Sequence, residues 1–113
     1  MNALVSIITP SYNSAKFIAE TIQSVQNQTY QNWEMIIVDD GSSDETESVV
    51  LNIIQKDNRI QFHKLSQNSG PAVARNTGIE KASGDYMTFI DADDIWFPTF
   101  IENNIKTIQE TGI

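Results

Sequence analysis

The sequence predicts an α/β domain built on a mainly parallel, Rossmann-like sheet with helices on both faces, and three observations predict it. Four short apolar segments of strand length recur at intervals of about 26 to 30 residues. The stretches between them carry apolar residues at helical spacing. At 113 residues the chain has room for one domain and one core. A βαβαβαβα order needs crossover connections, hence parallel strands wound right-handed.

The expected strands are Leu4–Thr9, Glu34–Val38, Ile60–Leu65 and Tyr86–Ile90, each rich in Val, Ile, Phe or Tyr. Ile18, Ile22 and Val25 mark a first helix, and Val49, Val50, Ile53 and Ile54 a second. Ala72, Val73, Asn76, Ile79 and Ala82 indicate a third; Ile101, Ile105 and Ile108 indicate a fourth. Ser42 with Glu45 reads as a capping box, Pro71 and Pro98 suit first helical positions, and Gly84 and Gly112 suit positions just past helix ends. Strand orders 3-2-1-4 and 2-1-3-4 are both reachable from this pattern.

Composition excludes several function classes. A net charge of -8 and a pI near 4.3 disfavour nucleic acid and anionic lipid as partners. The absence of Cys removes disulfides, thiolate nucleophiles and Cys-ligated zinc. The longest apolar run, Met35–Val38, has four residues, so no spanning helix or signal peptide is visible and a cytoplasmic location is expected. All eight net charges fall in two stretches, Asp39–Glu47 and Asp91–Asp94.

Ligands of open parallel sheets bind at the carboxyl ends of the strands. Thr9-Pro10-Ser11-Tyr12-Asn13, Asp39-Asp40-Gly41-Ser42 and Asp91-Ala92-Asp93-Asp94 all fall at such ends. Crowded carboxylates repel unless a cation or donors offset them, and Mg2+ or Mn2+ accepts carboxylate oxygens while keeping positions for phosphate oxygens. Asp44, Glu45 and Glu47 also suit a helix dipole at the start of the second helix. Arg75, one turn after Pro71, is placed to reach a phosphate or an acid at the rim. His63 belongs to strand three, on the face away from Ile60 and Phe62, and reads as exposed. Trp33, Trp96 and Phe97 read as packing residues. No Gly-rich phosphate loop and no Ser/His/Asp set is present.

Four motifs carry a resemblance: Val5–Asn13, Ile37–Asp44, Asn68–Gly78 and Phe89–Asp94. In order and spacing they closely resemble the family 2 glycosyltransferases of the GT-A fold, over about Leu4 to Trp96. The resemblance implies an inverting transferase that takes a sugar from a nucleoside diphosphate, most often UDP, with Mn2+ or Mg2+, in polysaccharide or glycoconjugate synthesis. It implies that Pro10 and Tyr12 line the base pocket, that Asp40 accepts from the base with Asp39 beside it, and that Arg75 contacts the nucleotide or the acidic loop. By the same resemblance Asp91 approaches the ribose and Asp93 binds the metal. Family members continue past this Asp-x-Asp motif into an acceptor-binding half that carries the general base. The 113 residues are therefore expected to be the donor-binding half, inactive alone. The acceptor, a glycan or lipid-linked sugar, would meet the other half, with the full-length protein peripheral at the inner membrane face. Two other metal-binding α/β readings compete. A receiver domain resembles this length and class but places its acid pair after strand one and its phospho-accepting Asp after strand three. A haloacid-dehalogenase-type phosphatase resembles the strand ending in Asp-x-Asp, but that motif there ends an early strand.

Overall fold

The computed structural model describes residues 3–111. The element order is β1 (Val5–Ser11), α1 (Ile18–Gln26), β2 (Trp33–Asp39), α2 (Thr46–Ile54), β3 (Ile60–Lys64), α3 (Pro71–Lys81), β4 (Tyr86–Phe89) and α4 (Phe100–Thr111). The four strands pair in parallel in the order β3-β2-β1-β4, which settles the strand order left open above. β1 thus lies between β2 and β4, and its carboxyl end is next to both acidic strand ends.

Side-chain alternation divides the core. Val5 and Ile7 of β1, Trp33, Met35 and Ile37 of β2, and Ile60 of β3 face α1, α2 and α4, where they meet Ile18, Ile22, Val25, Val50, Ile101 and Ile105. The opposite face carries Ile36 and Val38 under α3. The expected apolar face of α3 is corrected here: Ala74 and Gly78 are buried, whereas Val73 and Ile79 are exposed. The helix lies so close to the sheet that only small side chains fit beneath it. A Cβ on Gly78 would stand 2.5 Å from Cγ2 of Ile8.

Other boundary signals also had different causes. Ser42 caps no helix, because α2 begins at Thr46 and the Ser42 hydroxyl instead serves the buried carboxylate of Asp39. Pro98 precedes α4 by two residues, and its carbonyl accepts from the Thr29 N–H at 2.8 Å. Gly84 follows the end of α3 at a close approach to β1, where a Cβ would lie 2.5 Å from Ser6 Oγ. Gly112 lies outside the described residues. β1 runs through Pro10 without losing a ladder bond. The carbonyls of Leu4 and Ile8 face β4 while that of Ser11 faces β2, so the N–H that Pro10 lacks would point toward β4, beyond the last pair Ile8↔Phe89.

Candidate functional site

The carboxyl ends of β1, β2 and β4 and the start of α3 enclose an open cleft of about 290 Å³. Pro10, Tyr12, Asp40, Asn68, Arg75 and Asp91 are among the residues that line it. It stands at the lower end of ligand clefts, which commonly run from about 300 Å³ upward.

The adjacent carboxylates of β2 diverge because successive side chains of a strand point to opposite faces. Asp39 turns to the α2 side, fully buried, and accepts from the Ser42 N–H at 2.8 Å and the Ser42 hydroxyl at 2.5 Å. It does not line the cleft. Asp40 turns to the α3 side, where its oxygens accept from the N–H groups of Ser69 at 2.7 Å and Gly70 at 2.9 Å. It thereby holds the turn that leads into α3, near the positive end of the helix dipole. Each carboxylate oxygen keeps a further lone pair, so Asp40 can still accept from a group in the cleft.

The loops after β1 and β2 are knitted together around Asn13, which has a φ of 48° that Asn tolerates better than most residues. Its N–H donates to Ser42 Oγ at 2.7 Å, and its Oδ1 accepts from the N–H groups of Ser43 and Asp44 at 2.9 and 3.3 Å. Ser14 N–H donates to Thr46 Oγ1 and Ala15 N–H to Asp44 Oδ2. Hydrogen bonds from Thr46 hold Asp44 below the usual carboxylate range against the opposing pull of burial. Asp44 is therefore spent on loop structure, and Tyr12 projects from an anchored loop with half its surface open.

Asp91, Asp93 and Asp94 are exposed, and each brings one oxygen within 4.8 Å of the others. Among the described residues no Lys or Arg forms an ion pair with them. Ligand oxygens about 2.1 Å from one octahedral ion stand about 3.0 Å apart when adjacent and about 4.2 Å apart when opposite, so side-chain rotations that close these gaps by up to roughly 2 Å would gather the set on one ion. Three hard oxygen donors fit Mg2+ or Mn2+. Asp91 belongs both to this cluster and to the cleft wall, whereas Asp93 belongs to the cluster alone. Arg75 lines the cleft with no acid in ion-pair reach among the described residues.

The pattern of glycosyl transferase family 2 matches residues 6–113. The chain belongs to glycosyltransferase family 2. A relative in Escherichia coli, "UDP-Glc:alpha-D-GlcNAc-diphosphoundecaprenol beta-1,3-glucosyltransferase WfgD", is 44% identical over 97% of this chain and 43% of its own length. Among solved structures, Staphylococcus aureus TarS 1-349 in complex with UDP superposes with a TM-score of 0.87 at 31% identity, covering 94% of this chain and 32% of that one. The mannosyltransferase PcManGT from Pyrobaculum calidifontis, in complex with GDP-Man and Mn2+, gives 0.86 at 28% identity over 92% and 32%. This family 2 chain thus has the GT-A fold and spans less than half the length of the curated relatives it matches. Its strand order differs from the flavodoxin-like order of receiver domains, and the comparisons give that reading and the phosphatase reading no support.

For a family 2 chain the expected residues separate by place. Pro10, Tyr12, Asp40, Arg75 and Asp91 converge on the cleft, Asp93 stands at its acidic edge, and Asp39 lies behind it. Asn13 and Asn68 had no assigned role in the sequence, although an Asn just past a strand end signals a turn. His63 is half-buried beside Gln61 and away from the cleft, its pKa lowered by burial and by the charge of Lys81. Trp33 is buried and Trp96 stacks on Phe100 at 4.3 Å, but Phe97 is 83% exposed and not a packing residue.

Proposed function

We propose that this chain is the donor-binding portion of an inverting glycosyltransferase that uses a UDP-sugar and a divalent metal, Mn2+ or Mg2+. The observation that carries the reading is the position of Asp91, shared between the cleft and the acidic cluster. A nucleoside in the cleft would direct its diphosphate toward the cluster. Tyr12 and Pro10 supply a flat apolar wall for a base, Asp40 an acceptor for a base N–H, and Asp91 an acceptor for ribose hydroxyls. Asp39 acts from behind, by holding the Ser42 turn. Arg75 supplies positive charge near the phosphates. Asp93, with its neighbours, would hold a metal, which when bound offsets charge on the departing diphosphate.

The UDP and UDP-GlcNAc complexes of TarS and the Mn2+ of PcManGT support this reading, as does the UDP-Glc in the name of the E. coli relative. Inversion rests on the family resemblance. The acceptor site and general base would lie outside this chain, which fits its share of the relatives' length. An acceptor linked to lipid fits the diphosphoundecaprenol in a relative's name and a cytoplasmic enzyme peripheral to the membrane. Among the described residues no helix is long and apolar enough to cross a membrane. Calorimetry tests the proposal: UDP should bind in the presence of Mn2+, and Asp93→Ala or a chelator should weaken it about tenfold or more. A folded sample that binds no UDP with Mn2+ present would overturn it.

A further inference from the structure

α1 carries two buried polar side chains, Thr21 and Ser24, beside its apolar stripe of Ile18, Ile22 and Val25, a third, Gln28, follows its end, and their hydrogen bonds run to one place. Thr21, with no exposed surface, donates from Oγ1 to the Ala92 carbonyl at 3.0 Å. Ser24 Oγ donates to the Thr21 carbonyl at 2.8 Å and accepts from the Trp96 N–H at 3.2 Å. Gln28, just past the helix, donates from Nε2 to the Phe97 carbonyl at 2.6 Å and accepts at Oε1 from the Ile101 N–H at 3.0 Å. A spacing of three residues places Thr21 and Ser24 on one side of the helix, and Gln28, whose Nε2 also donates to the Ser24 carbonyl at 3.2 Å, extends that side past the helix end. Together they hold the backbone from Ala92 to Ile101.

This rail is matched to what it carries. The carboxylates of Asp91, Asp93 and Asp94 repel one another, and within 91–97 the described backbone bonds include only one local turn, Asp94 N–H to the Asp91 carbonyl at 3.0 Å. An anchor on the carboxylates themselves would consume the oxygens a cation needs. The α1 side chains bind backbone groups alone, so the segment is fixed while all three carboxylates stay free. We propose that Thr21, Ser24 and Gln28 are positioning residues that preset Asp91, Asp93 and Asp94 for a divalent cation. The inference rests on the metal reading given above and goes beyond it to residues outside the site.

The test is the affinity for Mn2+ in the presence of UDP, followed by the electron paramagnetic resonance signal of free Mn2+, with a thermal melt of each variant. Thr21→Val, which keeps the side chain's shape, should weaken Mn2+ about tenfold, and Thr21→Ser should restore it to within about twofold of the unmodified chain. Asp57→Asn, at the other end of the sheet, should lower the melting temperature and leave the Mn2+ affinity unchanged. If Thr21→Val does not fold, Ser24→Ala takes its place with the same expectation. Unaltered Mn2+ binding in the folded variant overturns the positioning role while leaving the metal reading intact. An unmodified chain that binds no Mn2+ overturns the metal reading and the positioning role with it.

Discussion

The two ends of the sheet treat their acids in opposite ways. At the amino ends of the strands, Asp57 is clasped by the Arg59 guanidinium at 3.0 Å and by Gln26 at 3.1 Å, and Arg59 lies 3.8 Å over the Trp33 ring. Glu34 there accepts from Ser6 and Ser83, whose donors hold its carboxyl below the usual range although burial pushes it up. At the carboxyl ends, Asp39 and Asp40 are satisfied by N–H and hydroxyl groups, and Asp91, Asp93 and Asp94 face solvent with no Lys or Arg paired to them among the described residues. One end neutralises its charge with the chain's own groups and spends it on the fold. The other end leaves charge for a ligand to meet.

Four substitutions would break or sharpen this contrast, the largest effect first. Asp39→Leu strands the Ser42 N–H and hydroxyl in a buried place and should cost about 3 kcal/mol in a denaturant titration. Asp57→Asn should remove roughly 1–2 kcal/mol at neutral pH after solvent screening is allowed for. The sign with pH follows from the Arg59 hydrogen bond, which lowers the folded Asp57 pKa to about 2, against about 3.9 in an unfolded chain. Its stabilisation is full above the unfolded value and lost as pH falls from about 4 to about 2, so melts across that range should be flatter in Asp57→Asn. Asp93→Asn should leave the metal-free melting temperature unchanged or raise stability by up to about 0.5 kcal/mol, since it relieves repulsion and removes no internal bond. Lys106→Ala, which breaks an exposed pair with Glu102, should change stability by less than about 0.5 kcal/mol.

Strands were legible because each is a short apolar run, and the rim was legible because acids follow those runs directly. Strand order was not, since it depends on which crossover packs over which face. The inward side of α3 was misread because periodicity weighs large apolar residues, while this helix docks through Ala74 and Gly78. Asp39 and Asp40 were read as a pair, yet their adjacency in a strand is what sends them to opposite faces. Of the site, the cleft-lining residues could be named from motifs. Asn13 and the α1 side chains could not, because their partners lie 29 to 73 residues away.

Pro10 stands where β1 and β4 stop pairing. Two parallel strands join like the halves of a fastener, each new pair bringing the next within reach. A residue with an N–H at position 10 would offer β4 one more tooth and invite the sheet to continue across the space where Asp91 turns away. Proline withholds it, so β1 and β4 part at a fixed height. The gap that Asp91 lines therefore opens just past a residue that has no N–H to offer β4.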